Sequence, residues 1–108
     1  MQIKNKVQLI GHLGMDPSIK SFGESKMARM SIATDASYRK ADGEYVQNAH
    51  WHNLVAWGKL ASVAEKILAK GKKVAINGKL VNRSYTDDNG KKNYTTEVHV
   101  SEFILLDK

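Results

Sequence analysis

Four flat side chains, Tyr38, Trp51, Trp57 and Tyr85, are the residues of this chain best placed to hold a ligand. Tyr38, Trp57 and Tyr85 each have a cation within two residues or on the same face of the expected strand. Arg39-Lys40 follows Tyr38, Lys59 stands two residues past Trp57, and Lys79, Arg83 and Tyr85 share odd parity. An unpaired base stacks on such a ring at about 1–3 kcal/mol, while Lys and Arg neutralise phosphates and release their counterions. Neither half suffices alone, and the combination is what an unpaired polynucleotide requires. A single ring on a strand is more often packing than platform. Tyr94 therefore reads as structural. Phe22, in a loop beside Lys20 and Gly23, and Phe103, at an apolar end, stay outside the site.

Other chemistries lack their residues. The chain has no Cys, which removes disulfides, cysteine-based zinc sites and thiol nucleophiles together. His50 and His52 alternate on a strand but have no third ligand nearby, so neither a metal nor a cofactor is expected. Asp87-Asp88-Asn89-Gly90 hints at a calcium loop, yet aligning its glycine puts Tyr85 at the first ligand position and Thr96 at the last. Gly11-His12-Leu13-Gly14 has a Gly-x-x-Gly form, but its flanks alternate as a strand. With no phosphate-binding glycine loop and no Ser, His and Asp arrangement, no enzymatic activity is expected.

The elements that must position the rings follow from periodicity. Residues 6–13 and 27–34 alternate as half-buried strands; in the second, Ala28, Met30, Ile32 and Thr34 oppose Met27, Arg29, Ser31 and Ala33. Residues 39–44 are a charged hairpin loop containing Asp-Gly, and residues 49–57 form a third strand on which Trp51, Asn53, Val55 and Trp57 share a face. The period then changes. Leu60, Val63, Ala64, Ile67 and Leu68 place one apolar stripe along a helix over residues 59–70, with Gly71 as its terminator. Residues 74–81 resume alternation, with Val74, Ile76 and Leu80 as the core side. A turn at residues 87–90 leads to a strand over 94–100, and the apolar run 103–106 extends or follows it.

Three strands, a helix and two strands match an all-β, five-stranded Greek-key barrel, the OB-fold, whose helix between strands three and four plugs one open end. No linker or repeat interrupts residues 1–108, so one domain is expected. Seventeen Lys and Arg against eleven Asp and Glu give a charge of +6, suited to a polyanion. At 42% hydrophobic, with one Pro and eight Gly, the chain has a globular composition. Its N-terminus lacks a signal-peptide apolar core and no apolar run reaches a membrane span, so a cytoplasmic, nucleoid-associated location without membrane contact is expected.

The run Trp51-His52-Asn53-Leu54-Val55-Ala56-Trp57-Gly58-Lys59-Leu60-Ala61 closely resembles the Trp-His strand and Gly-Lys-Leu-Ala helix start of bacterial single-stranded DNA-binding proteins. Asn5-Lys6-Val7, Leu9-Ile10-Gly11, Leu13-Gly14 and Asp16-Pro17 resemble that family's opening strand, and Ser31-Ile32-Ala33-Thr34 its second. Lys70-Gly71, Gly78-Lys79-Leu80 and Tyr94-Thr95-Thr96-Glu97-Val98 resemble its later landmarks.

The resemblance implies sequence-nonspecific binding and protection of single-stranded DNA in replication, recombination and repair. It puts base stacking on Tyr38, Trp51, Trp57 and Tyr85. Family members often have Trp in place of both tyrosines and Phe in place of Trp57. Lys20, Lys59, Lys70 and Arg83 fall at positions basic in relatives, and Arg39 and Lys79 join them as phosphate contacts from their place beside the rings. Asn53 and Val81 fall where relatives often carry Arg. The family's homotetramer implies subunit contacts near the first strand and His52. Its usual Gly- and Pro-rich linker and acidic tip have no counterpart before Asp107-Lys108, as in either a truncated domain or a naturally short member, so tail-mediated contacts with replication proteins find no support in this chain. Two other readings share fold and charge: a replication-restart accessory protein acting through protein contacts, and an RNA-binding OB domain.

Overall fold

The computed structural model describes residues 5–106. Met1 to Lys4 and Asp107-Lys108, on which the leader and tail readings partly rest, lie outside them. The chain builds β1 (Val7–Leu13), β2 (Ser18–Phe22), β3 (Ser25–Asp35), β4 (Tyr38–Arg39), β5 (Tyr45–Val46), β6 (Ala49–Trp57), α1 (Lys59–Ile67), β7 (Lys73–Thr86) and β8 (Lys92–Leu105).

The expected five strands are β1, β3, β6, β7 and β8, and α1 stands between the third and fourth of them. They hydrogen-bond in the order β1-β7-β8-β6-β3, and β3 returns to β1 through His12↔Ala33 and Leu13↔Ile32. The β6–β8 pair is parallel and the others antiparallel, a Greek-key barrel. Closure needs Gly11, because a Cβ there would stand 2.1 Å from the Ala33 carbonyl oxygen. Alternation fills the interior with Leu13, Ala28, Met30, Ile32, Leu54, Ala56, Val74, Ile76, Val98 and Val100.

Four details depart from the sequence reading. Residues 18–22 are a strand on the outer edge of β3, where only Ile19 has enough burial to leave an alternation signal. The helix ends at Ile67, short of residue 70, because Leu68 turns extended and packs into the core; Gly71, at φ 90°, makes the following turn instead. The buried stripe of α1 uses Ala61, Ala64 and partly Leu60, while Val63 and Ile67 face solvent, because small residues bring the helix close to β3 and β6. Leu80 is half exposed, since β7 and β8 run past the barrel as a long hairpin that reaches Thr86 and Lys92. The 103–106 run continues β8 up to Leu105.

Candidate nucleic-acid interface

Odd-numbered residues of the central strands turn outward together, except at the end of β8, where the register shift at Asn77/Gly78 turns Phe103 and Leu105 inward. One continuous row crosses the sheet from Ser18 through Arg29, Val55 and His99 to Lys79. Beside it, Lys20 and Met27 lead to Trp57. Further along the same outer side lie Trp51 and Asn53 on β6 and Arg83 and Tyr85 on the protruding β7. Trp51, Trp57 and Tyr85 are 62, 48 and 59% exposed, a large apolar outlay for rings that could have been packed inward.

Each ring has its own seat. Trp57 ends β6 with the Phe22 ring tilted beside it, centroids 6.3 Å apart, and borders a cleft of about 660 Å³ shared with Lys6, Lys79 and His99. Lys59, the first residue of α1, follows one residue after Gly58. Trp51 lies across Gly14: a Cβ on that glycine would come within 2.3 Å of the indole. The Lys70 amide donates to the Asp16 carboxylate at 2.8 Å, which brings Lys70 beside this segment. Tyr85 borders a second cleft of about 480 Å³, together with Met15, Arg29, Asn53, Arg83 and Glu97.

At the centre sits Glu97, 4% exposed and the one buried charged side chain among the described residues. Its Oε1 accepts from Arg83 Nη1 at 3.4 Å and lies 3.0 Å from His99 Nε2, and its Oε2 accepts from Arg29 Nη1 at 3.5 Å. Burial pushes this carboxyl upward. The hydrogen bonds from His99 and Arg83, with the charges of Arg83 and Arg29, outweigh it and hold Glu97 below its ordinary range. Val55 is buried beneath this cluster although it points outward.

The remaining candidates lie apart. Tyr38 and Arg39 form β4, which pairs only with β5 as a separate two-stranded sheet. Arg39 donates from Nη1 to the Gly43 carbonyl at 3.0 Å and lies 5.9 Å from the centre of the Tyr45 ring, so its guanidinium is turned back along the hairpin. His52 faces the core side at the upper end of β6, half-buried, its Nε2 3.3 Å from Thr34 Oγ1. No group of three metal-ligating side chains gathers around it among the described residues.

Two expectations need correction and two residues were missed. Tyr94 is not packed: it is 74% exposed, on the face of the long hairpin opposite Tyr85, with Lys92 Nζ 5.9 Å from its ring centre. Phe22 belongs beside Trp57, a pairing across β2, β3 and β6 that no local pattern announces. Arg29 had a usable signal, its odd parity on the second strand. Glu97 had parity too, but nothing in a sequence says that an outward carboxylate will be buried under two arginines.

Comparisons with known proteins place this geometry. Residues 4–106 match the model of the family described as "Single-strand binding protein family". The chain is 38% identical over 104 residues to "Single-stranded DNA-binding protein 1" of Chlorobaculum tepidum, covering 94% of this chain and 64% of that protein's length. A solved structure described as "Plasmodium falciparum SSB complex with ssDNA" superposes with a TM-score of 0.88 at 31% identity, covering 99% of this chain and 98% of that one.

Proposed function

The chain belongs to the single-strand binding protein family, and from that premise we propose that it coats single-stranded DNA without strong sequence preference during replication, recombination and repair. The observation that carries this reading is the shared outward face on which Trp51, Trp57 and Tyr85 stand exposed among Lys20, Lys79 and Arg83. Bases stack on the three rings, and the strand's phosphates run along those cations and on toward Lys59 and Lys70. Tyr38 and Arg39 reach the strand from the β4–β5 hairpin as a secondary contact. The protein acts by binding alone, as one domain and with no cofactor.

The working unit is a homotetramer in the cytoplasm, on nucleoid DNA. Supporting the assembly, Ile10 and Ile104 stand exposed on either side of Ala75 on the outer surface of β1, β7 and β8, an apolar face away from the rings. His52 contributes to subunit contacts at the upper end of β6. No helix among the described residues is long and apolar enough to cross a membrane.

Titration with oligo(dT) tests the reading, because both tryptophans of the chain are proposed platforms. Strong quenching of intrinsic fluorescence is expected, with log affinity falling against log salt at about −0.7 per neutralised phosphate. Unchanged emission at saturating ligand would overturn it, and equal competition by a matched RNA would redirect it to RNA.

A further inference from the structure

A buried carboxylate at the centre of a face that binds a polyanion is a puzzle, since its charge opposes the ligand. The geometry around Glu97 resolves it. Arg29 on β3 and Arg83 on β7 reach the same carboxylate, one at each oxygen, and each spends a single nitrogen, Nη1, on it. Neither guanidinium makes another hydrogen bond within the described residues, and both line the cleft that Tyr85 borders. An arginine carries five N–H donors in a rigid plane, so most of each fork stays available to an oxyanion. His99, on the same strand two residues on, fixes the carboxylate from a third side. The lysines of the face have no such anchor. Lys20, Lys59 and Lys79 take part in no ion pair among the described residues, so their ammonium groups ride on flexible stems.

We propose that Arg29 and Arg83 form one fixed phosphate-binding fork on the wall of the Tyr85 cleft, and that Glu97 is the positioning residue that holds it. The inference rests on the DNA-binding reading above and deepens it. A nucleotide seated in the cleft stacks its base on Tyr85 and presents its phosphate to both guanidiniums. Glu97 costs the face one unit of charge and returns two aligned forks whose conformational freedom is lost on folding, before DNA arrives. The trio keeps a net charge of +1, so the fork still attracts an anion.

Charge counting and positioning predict opposite signs for one substitution. Glu97→Gln makes the face more positive, and by charge alone it should bind DNA more tightly. If Glu97 positions the fork, affinity for labelled oligo(dT) falls about five- to tenfold at fixed salt, because an amide cannot hold two arginines. Arg29→Lys keeps the charge and should cost about fivefold in the native background, but under about twofold in the Glu97→Gln background, where the fork is already loose. Affinity that is unchanged or tighter in Glu97→Gln overturns the proposal, and so do strictly additive losses, since a merely structural carboxylate would not couple to Arg29. Should Glu97→Gln fail to fold, the exposed pair Arg29→Lys and Arg83→Lys decides: non-additive losses support a shared phosphate and additive losses refute it. A wild-type chain with no affinity for oligo(dT) would remove the functional reading and the fork together. Wild-type binding with intact Glu97→Gln affinity removes the fork alone.

Discussion

Two regions of the molecule set an arginine close to a tyrosine, and they direct the arginine differently. In the β4–β5 hairpin, Arg39 follows Tyr38 directly, yet its guanidinium turns back to the Gly43 carbonyl and the Tyr45 ring. On β7, Arg83 stands two residues before Tyr85, so strand alternation delivers both to one face, and Glu97 anchors the arginine with most of its donors open to the cleft. Adjacency in sequence therefore does not set the direction in which a cation points. In a tight hairpin the nearest acceptor is the turn itself, whereas on a long strand the pleat separates neighbours and joins alternate residues.

The sharpest way to break this contrast is to remove rings from each region. Trp51→Ala and Trp57→Ala should each weaken oligo(dT) binding by about 1–3 kcal/mol with little change in melting temperature, since both rings are exposed. Gly14→Ala sharpens the barrel side: the new methyl displaces the Trp51 indole from its seat, and binding should weaken by about 1 kcal/mol at nearly unchanged stability. Tyr38→Ala, on the hairpin, should cost about 0.5–1 kcal/mol. A loss equal to that of Trp51→Ala would place the two regions on the same footing.

Acid should reach the barrel cluster through Glu97. Its folded carboxyl lies below the ordinary range, so the stabilisation it supplies is complete above that range and is lost as pH falls through the lowered folded value. Asp87 titrates in the same direction, held low by the Lys91 amide and the Asn93 side chain. Glu97→Gln should therefore flatten part of the acid-side decline in melting temperature and leave the Asp87 part. The smallest effect belongs to Arg39→Ala, which should shift DNA affinity by under about 0.5 kcal/mol in a salt titration.

Much of this was legible beforehand, for identifiable reasons. Strand and helix order follow from a period change at Lys59, and the face shared by Trp51 and Trp57 follows from parity, because no bulge interrupts β6. The hidden parts depend on tertiary neighbours. Phe22 meets Trp57 only because β2 pairs with β3, and Leu80 is exposed only because the β7–β8 hairpin outruns the barrel. Glu97 is buried by side chains from two other strands. Tyr94 misled for a similar reason, since its alternation is real but no opposite layer exists beyond the barrel to cover it.

The central claim is that rings on the barrel face, with cations in support, hold an unpaired strand through its bases. The most direct measurement compares the affinity of a dT oligomer with that of an abasic oligomer of equal length and charge at one salt concentration. Stacking on Trp51, Trp57 and Tyr85 predicts that the abasic strand binds at least about a hundredfold more weakly and leaves tryptophan emission nearly unchanged. Equal affinity for the two strands would contradict the account, because phosphate neutralisation alone would then explain the binding.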